Sequence, residues 1–404
     1  MFGQNDFSQE ETDVKKTSLL NNSAVWLGAS ISVAEIMSGA YLAGMGLRRG
    51  LAAIVIGHLI GGLLFYLYGR IGGETGRSSM DCVAFSFGSQ GASLFAGMNV
   101  LQLTAWTAIM LYVSALALNA ITAGMFPTWA WCLLIGLSVM AWVYAGGAEI
   151  NRLNLLASTL LLILTFVMCQ QVIQNGNGVT RALLRFPYLT FGSAVEVSLA
   201  LPLSWIPLVA DYTSKAERPH LNNVLSALIY TTGSGWMYTI GLLAALYCGS
   251  SNIIEILIST GIVRIPLLIV VLATMTTTFI EACSAGISAQ TISKRYSVRF
   301  LALMVLIAAT IVSVFFSLQE YDQFLILIAS VFAPMAAIVI TDYFFLKKNR
   351  TGQSLDLETM LLWAVGFVLY HLCMSIGGVV GSTVPMLLIV GVIRFVTERV
   401  RGGS

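Results

Sequence analysis

Charged side chains are scarce in this sequence, because lysine, arginine, aspartate and glutamate together supply only 10% of its 404 residues. An ordinary soluble domain has roughly 25%. Hydrophobic residues make up 57% of the chain, and they stand in long blocks instead of amphipathic stripes. This small number of charged residues cannot cover a water-exposed surface. The composition therefore excludes most soluble enzymes and favours an all-α polytopic membrane protein. The sequence also lacks the short alternating strands of a transmembrane barrel.

Signatures of catalysis and of metal binding are missing as well. The six cysteines form no CxxC pair and lie in or beside apolar blocks, which is typical of small packing residues. The three histidines are scattered, and there is no HExxH motif, no Ser/His/Asp set at membrane depth and no Gly-rich phosphate loop. We therefore expect neither an enzyme, a resident cofactor nor an ATP-driven pump, whereas a channel stays open as an alternative.

Long apolar runs separated by polar breaks predict twelve membrane spans, since about 20 apolar residues cross the hydrocarbon core. The third span is long enough to begin as a tilted or re-entrant piece near Phe85. The predicted spans are residues 24–47, 50–69, 89–119, 127–146, 152–173, 191–212, 222–248, 264–288, 298–317, 324–346, 358–378 and 381–397.

The basic residues predict the orientation of these spans. With a cytoplasmic N-terminus, 16 of the 21 lysines and arginines fall inside. The five outside are Arg48, Arg49, Arg181, Arg185 and Arg264. Both termini are therefore expected in the cytoplasm, with the chain in the plasma membrane (the inner membrane of a bacterium). The polar first 20 residues do not resemble a secretory signal peptide, so the first span is expected to act as the insertion signal.

The partners expected from composition are the lipid bilayer and a small molecule. The net charge is +2 without a long basic run, so there is no signal for nucleic acid. No obligate protein partner is evident, and no soluble domain fits. The predicted organisation is a cytoplasmic tail (1–23), a first five-helix repeat (24–173), a second (174–346), and two extra helices with a short cytoplasmic C-terminus (347–404).

Acidic residues inside the spans are the first candidates for function, because a charge at the bilayer centre costs about 3 kcal/mol on insertion scales. Glu35 lies in the middle of the first span, Glu281 lies deep in the eighth, and Glu196 lies near the start of the sixth. Asp211 and Asp342 fall at the cytoplasmic ends of spans, where a solvated or helix-capping role is expected.

Spans one and six both contain residues that interrupt helices. In span one these are Ser38-Gly39, Gly44 and Gly46, and in span six they are Pro202 and Pro207. Broken helices at corresponding positions of two repeats indicate the central site of a secondary transporter, where freed carbonyls bind a cation and half-helix ends face the substrate. Ordinary kinks filled by neighbouring helices are the alternative.

Spans three and eight are expected to line that site. Gln102 and Trp106 share one helix face, which suits a flat heteroaromatic ring by hydrogen bonding and stacking, although a tryptophan of the core is the alternative. In span eight, threonine hydroxyls precede Glu281 and supply the oxygen ligands that sodium prefers. The same hydroxyls often donate to their own helix without any ion. These threonines are Thr274, Thr276, Thr277 and Thr278.

Three stretches resemble the nucleobase–cation symporter family, and most closely its cytosine-permease and hydroxymethylpyrimidine-permease branch. They are GGETGRSSMDCVAFSFGSQG (72–91) running into span three up to Trp106, ADYT (210–213), and APMAAIVITDYFFLKK (333–348). The resemblance covers most of the chain. It implies twelve spans in a leucine-transporter-like 5+5 inverted repeat with two extra helices, and import of a nucleobase-like ring coupled to sodium or protons.

The resemblance also implies where ligands bind. Aromatic residues of spans three and six sandwich the ring, and polar groups of spans one, three and eight contact its edge. The predicted substrate site is Glu35, Gln102, Trp106, Ser204, Trp205 and Glu281. The sodium site that the family implies maps to the carbonyls of Ala34 and Met37 with the hydroxyls of Thr277 and Thr278.

This chain departs from the family at three of those positions. Trp205 matches the span-six tryptophan by proximity only, Glu281 stands where relatives often have asparagine, and Glu35 replaces a small polar residue. Two carboxylates suit a ligand rich in donors, because a carboxylate pairs with an amino group and an adjacent protonated ring nitrogen. We therefore expect a 4-aminopyrimidine such as hydroxymethylpyrimidine, with cytosine next. An amino-acid or polyamine permease of the same fold is the alternative.

Overall fold

A computed structural model of the chain describes residues 16–146, 150–175, 186, 189–258, 264–316, 318 and 321–402. Within these ranges it is almost entirely helical. A 3-10 segment, Leu42–Met45, joins the second helix to the third, and a π-helical segment, Thr341–Leu346, extends the thirteenth. The helices are α1 (Leu19–Ser30), α2 (Val33–Tyr41), α3 (Gly46–Thr75), α4 (Ser79–Ile121), α5 (Thr128–Ala145), α6 (Ile150–Asn175), α7 (Phe191–Ser204), α8 (Ile206–Thr213), α9 (Pro219–Cys248), α10 (Ile253–Ile258), α11 (Arg264–Ile292), α12 (Val298–Phe315), α13 (Tyr321–Ile340), α14 (Leu357–Ile376) and α15 (Thr383–Gly402).

Each predicted span coincides with one helix or with a pair of helices. In the described ranges nine helices are long and apolar enough to cross a membrane, and α2 and α3 count among them as one continuous helix, Val33–Thr75. The helices α9 and α15 coincide with the predicted seventh and twelfth spans but are not among the nine. The count of twelve therefore stays a prediction. Most of the predicted N-terminal tail, together with Arg181 and Arg185, lies outside the described residues.

The break in the first span lies earlier than the sequence predicted. Helix α1 ends at Ser30 and α2 begins at Val33, so Ile31 and Ser32 form the break. The Ser32 hydroxyl caps α2 by accepting a hydrogen bond from the backbone N–H of Glu35 (3.4 Å). The prediction for Gly39 was wrong, because this residue lies inside α2, where it permits a close helix–helix contact. Gly44 and Gly46 do lie at an interruption, since Gly44 belongs to the 3-10 segment after α2 and the φ angle of Gly46 is 70°.

The break in the sixth span lies where the two prolines predicted it. Trp205 separates α7 from α8. Pro207 stands in the first turn of α8, where a missing N–H removes no helical hydrogen bond. Pro202 lies inside α7 and faces Gly61 of α3. The interruption is therefore placed by Pro207, while Pro202 packs against the neighbouring helix.

The long helix α4 contains a bend at Gly88, three residues after Phe85. The φ angle of Gly88 is 74°, a left-handed value that favours glycine. A Cβ atom there would also lie 2.8 Å from the carbonyl oxygen of Gln353. The N–H groups of Ser89 and Gln90 donate to the Gln353 and Ser354 carbonyls (3.0 and 2.7 Å). The short first part of α4 is thus tilted away from the main helix, as the sequence predicted.

The two broken spans pack into one layer with α3 and α9, and α4 runs beside α11. The helices α14 and α15 lie against α13. A buried ion pair fixes this last contact, because Arg394 of α15 donates to both carboxylate oxygens of Asp342 (2.7 and 3.1 Å) and to Glu398 (3.0 Å). Asp342 is fully buried. The expectation of a solvated or capping Asp342 was therefore wrong.

Replacement of Gly39 or Gly241 by alanine is expected to destabilise the protein. A Cβ atom at Gly39 would overlap the backbone of Tyr238, and one at Gly241 would overlap the backbone of Ile36, so α2 and α9 would have to separate. Overpacking of this kind costs about 1–3 kcal/mol. The measurement is the apparent Tm in detergent. Gly352→Ala is the control, because its added Cβ meets nothing within 4 Å. Equal Tm values for Gly39→Ala and the control would contradict the close contact.

Candidate functional site

A narrow cavity lies where the two helix breaks face α4 and α11. Eight predicted site residues line it: Ala34, Glu35, Gln102, Trp106, Ser204, Trp205, Thr277 and Glu281. Met37 and Thr278 are not among its lining residues. The sequence prediction missed six further lining residues, Ala29, Ser32, Leu103, Met110, Leu201 and Leu208. Ser32 belongs to the misplaced break and the others are small or apolar, so no chemical signal distinguished them from the core.

The cavity is small in this conformation. The space that accepts the centre of a water molecule is about 20 Å³, which corresponds to roughly one water molecule. A pyrimidine ring needs more room than that. Binding of a ring therefore requires the side chains or half-helices around the breaks to move.

The side of the cavity that α4 forms is hydrogen-bonded to the break in the sixth span. The Gln102 amide nitrogen donates to the carbonyl oxygen of Ser204 (2.8 Å), where α7 ends. The Ser204 hydroxyl donates to the Leu201 carbonyl and is engaged inside its own helix. The Gln102 carbonyl oxygen is buried and has no hydrogen-bond partner among the described residues. This oxygen is consequently a free acceptor at the cavity.

Two tryptophans line the cavity, and each is held by other aromatic rings. Trp106 of α4 makes edge-to-face contacts with Tyr321 and Phe324, with centroid distances of 6.0 and 5.1 Å. Trp205, at the break, makes such contacts with Trp26 and Tyr230, at 5.6 and 6.1 Å. Aromatic side chains with fixed orientations are suited to stacking on a planar ligand.

Glu281 is the buried carboxylate at the cavity that lacks a partner. Its side chain is 5% exposed, and its Oε2 atom has no hydrogen-bond partner in the part of the chain that the structure describes. An unsatisfied buried polar group costs about 1–3 kcal/mol, and more when it is charged. Together with the Gln102 oxygen it gives the cavity two acceptors that lack donors. Such a cavity favours a ligand with several N–H groups.

Glu35 lines the same cavity, but both of its carboxylate oxygens are engaged by α9. The Tyr230 hydroxyl contacts one oxygen (2.8 Å) and the Ser234 hydroxyl contacts the other (2.7 Å). Tyr238 and Tyr321 are the other buried titratable groups near Glu35. The geometry thus connects Glu35 to the neighbouring helix, in contrast to Glu281.

The contacts of Glu35 continue into a buried hydrogen-bond chain that sequence analysis missed. The Ser234 hydroxyl lies 2.7 Å from Nε2 of His58, in α3. Nδ1 of His58 lies 3.1 Å from the carbonyl oxygen of Ile54 and 2.8 Å from the Ser198 hydroxyl. The chain joins α2, α9, α3 and α7. No role for His58 was predicted, because its partners Ser198 and Ser234 lie 140 and 176 residues away in the chain.

The positions of the hydrogens in this chain depend on the tautomer of His58. With the hydrogen on Nε2, His58 donates to Ser234, and Ser234 donates to an ionised Glu35. With the hydrogen on Nδ1, Nε2 accepts from Ser234, and the Ser234 oxygen accepts from a protonated Glu35. The second arrangement holds one proton more than the first, so the chain can take up a proton while the same heavy atoms stay in contact.

Three of the four residues of the implied sodium site form hydrogen bonds in the structure, and the fourth, Met37, lies inside α2. Ala34 and Met37 lie inside α2, after the break, so the premise that the break frees their carbonyls was wrong. The Ala34 carbonyl also accepts from the Tyr321 hydroxyl (3.3 Å). The hydroxyls of Thr277 and Thr278 donate to the Ala273 and Thr274 carbonyls (3.0 and 2.7 Å). The alternative that these threonines donate to their own helix is confirmed.

Glu196 and Asp211 lie outside the cavity and act on helix ends. Glu196 accepts from the Tyr370 hydroxyl (2.7 Å), from the Ser382 and Thr383 N–H groups (2.8 and 3.1 Å) and from the Thr383 hydroxyl. It therefore joins α7 to the start of α15. Asp211 accepts from the Ser79 N–H at the start of α4 (2.7 Å), which confirms the capping alternative.

The sequence matches the family model that describes permeases for cytosine/purines, uracil, thiamine and allantoin, over residues 10–360. The purine-cytosine permease FCY22 of Saccharomyces cerevisiae is 24% identical over 214 residues, which are 50% of this chain. The match spans 40% of the length of that curated relative.

Solved structures with the same fold include transporters in different conformations. Mhp1, a nucleobase-cation-symport-1 family transporter, is similar in a closed conformation with bromovinylhydantoin bound (TM-score 0.78, 17% identity, 95% of this chain and 92% of that chain). Its inward-facing conformation is also similar (0.80, 16%, 96% and 92%), as is a substrate-bound, outward-open Na⁺-coupled sialic acid symporter (0.67, 16%, 94% and 89%). The predicted leucine-transporter-like helical fold is confirmed.

Glu196→Gln is expected to lower the thermal stability without changing substrate selectivity. The amide nitrogen of glutamine would face N–H and O–H donors at the start of α15, which leaves buried donors unsatisfied at about 1–3 kcal/mol. Tyr370→Phe removes one donor only and should lower the Tm less. The measurements are the apparent Tm and the relative uptake of competing pyrimidines. Altered selectivity with an unchanged Tm would place Glu196 in the substrate site instead.

Proposed function

The chain belongs to the family of permeases for cytosine/purines, uracil, thiamine and allantoin, and from that premise we propose that it is a secondary active transporter which imports a pyrimidine-like ring together with a cation. The family consists of permeases and not of enzymes, and the chain is a multi-pass membrane protein. By the distribution of its lysines and arginines we place both termini in the cytoplasm and the chain in the plasma membrane, the inner membrane if its source is bacterial.

The proposed substrate is a 4-aminopyrimidine, namely hydroxymethylpyrimidine or cytosine. The observation that carries this proposal is the pair of unpartnered acceptors at the cavity, the Glu281 carboxylate and the Gln102 carbonyl oxygen. The amino group and adjacent protonated ring nitrogen of an aminopyrimidine supply two parallel donors to one carboxylate. Uracil offers a single N–H between two carbonyls on the corresponding edge, so it would leave Glu281 facing acceptors. Trp106 and Trp205 would stack on the two faces of the ring.

The proposed transport cycle uses the two helix breaks as the moving parts. The ring enters from outside, and its N–H donors replace water molecules at the acceptor oxygens of Glu281 and Gln102. The half-helices around Ser32 and Trp205 then close over it, which suits the small cavity seen here. Reopening toward the cytoplasm releases ring and cation. Coupling requires that each ligand strengthens binding of the other by the same factor.

We propose a proton on Glu35 as the coupling ion. The support is the hydrogen-bond chain through Ser234 to His58, which can hold the extra proton by a change in the tautomer of His58. Loss of that proton would leave a buried negative charge on α2. Sodium is the alternative, and Thr277 is the one side chain of the implied sodium set that lines the cavity. The contacts of Ala34, Met37 and Thr278 give that alternative less support.

Glu281→Gln is expected to weaken aminopyrimidine binding by about ten- to a hundredfold, because a hydrogen bond to a charged group contributes about 1.5–3 kcal/mol. Uracil should lose much less, since it does not offer paired donors. The measurement is competition of unlabelled pyrimidines, purines, amino acids and polyamines against labelled aminopyrimidine uptake in proteoliposomes. Glu255→Gln, at an exposed position of α10, is the matched control. Unchanged aminopyrimidine affinity in Glu281→Gln, or stronger competition by amino acids or polyamines, would contradict the proposal.

An inward proton gradient is expected to drive accumulation in sodium-free buffers on both sides of the membrane. Glu35→Gln removes the exchangeable proton of the chain, so it should abolish accumulation above equilibrium while substrate exchange at zero gradient persists. Thr277→Val tests the sodium alternative, and accumulation should survive it. The measurement is the accumulation ratio at several pH gradients, with and without sodium. Accumulation that strictly requires sodium and is lost in Thr277→Val would show that the coupling ion is sodium.

A further inference from the structure

A second cavity, far larger than the first, opens between the end of α5, the second half of α11 and the start of α12. The volume of this cavity that is open to the centres of water molecules is about 580 Å³. It lies at the end of the bundle to which the positive-inside rule assigns 16 of the 21 basic residues. The proposed transport cycle does not use it.

The wall of this cavity changes from apolar to basic along the helix axes. Its deeper part is formed by Val143, Phe279 and Cys283, and its mouth by Lys294, Arg295 and Arg299. No carboxylate is among the lining residues that the structure describes. Lys294 and Arg295 are exposed and form no ion pair with a carboxylate within the described ranges. Lys294 and Arg295 consequently place two positive charges at the mouth without a carboxylate partner in the described part of the chain.

The start of α12 adds to the attraction for an anion. Its first backbone N–H groups point toward the mouth end of the helix, and the Ser297 hydroxyl accepts from one of them, that of Phe300 (3.3 Å). The end of an 18-residue helix that carries free N–H groups favours negative charge. This end lies beside Lys294 and Arg295, so both features favour a phosphate group at the same place.

The apolar surroundings distinguish a lipid from a free anion. Tyr296 stacks on Phe300 with a centroid distance of 5.2 Å, and both side chains are exposed. Such aromatic pairs are typical of the membrane interface. Further along α12, Met304, Ile307 and Ile311 are exposed apolar side chains. The cavity is therefore continuous with a surface that acyl chains cover in a membrane.

We propose that this basic cavity binds the phosphate headgroup of an anionic phospholipid from the leaflet at its own side, with an acyl chain along α12. Basic pockets between membrane helices on the cytoplasmic side are suited to such headgroups. Phe279 lies two residues from Glu281 on α11. A bound lipid would thus fix the helix that carries the proposed substrate carboxylate.

The test compares lipid binding to the full chain in detergent, with phosphatidylglycerol and phosphatidylcholine titrated separately and Tm as the readout. Phosphatidylglycerol should raise the Tm of the unmodified protein, and phosphatidylcholine should not. The variant Lys294→Gln/Arg295→Gln should bind phosphatidylglycerol about thirtyfold more weakly, because each basic residue near an anionic surface contributes about a factor of five. Its Tm without lipid should be unchanged, since both side chains are exposed.

Arg48→Gln/Arg49→Gln is the matched control, because it removes two exposed arginines from the opposite end of the bundle. It should bind phosphatidylglycerol as the unmodified protein does. An equal loss of phosphatidylglycerol binding in both double variants would show that only the overall surface charge matters, and it would overturn the proposal. Undiminished binding by Lys294→Gln/Arg295→Gln would overturn it as well. Stabilisation by inorganic phosphate alone at the same concentration would assign the cavity to a free anion and not to a lipid.

Discussion

The structure depends on one constraint, which is that a charge inside the membrane must be paired, hydrogen-bonded or neutralised. This constraint accounts for four buried carboxyl groups of the chain. Asp342 is paired with Arg394, Glu196 accepts the N–H groups at the start of α15, Asp211 accepts the first N–H of α4, and Glu35 is held by two hydroxyls of α9. All four of these contacts join helices that are distant in sequence, so the charges that are costly to insert also determine how the helices assemble. Glu281 lacks such a partner among the described residues, and this exception marks the cavity.

Much of the site could be predicted from the sequence, because the depth of an acidic residue in an apolar run and the residues that share a helix face can be read directly. Glu281 was found by its depth, Gln102 and Trp106 were found by their shared face, and all three line the cavity. The break at Trp205 was predictable because proline at the first turn of a helix has a local steric cause. These features depend on residues within one or two turns of each other.

The features that could not be predicted depend on contacts between distant helices. Gly39 was read as a helix breaker, but it lies in α2 against the backbone of Tyr238, about 200 residues away in the chain. Asp342 was expected to lie at a solvated helix end, because its partner Arg394 cannot be identified from the sequence. The role of His58 depends on hydroxyls of α7 and α9. A single sequence does not show these partners, since neither periodicity nor spacing links them.

The two carboxyl groups at the cavity differ in a way that separates their tasks. Glu35 of α2 has both of its hydrogen bonds to α9, and Ser234 connects it to His58 of α3, so its protonation changes contacts among these helices. Glu281 stands on α11 and is satisfied only when a ligand supplies donors. In the proposed cycle, a protonated ring bound at Glu281 neutralises the charge on that side, while a proton at Glu35 removes the charge on the other. The closed, dry state of that cycle is favourable only when both are present, because either uncompensated charge would be buried at a cost of several kcal/mol. The proposed function therefore implies obligatory coupling between substrate and proton without direct contact between them.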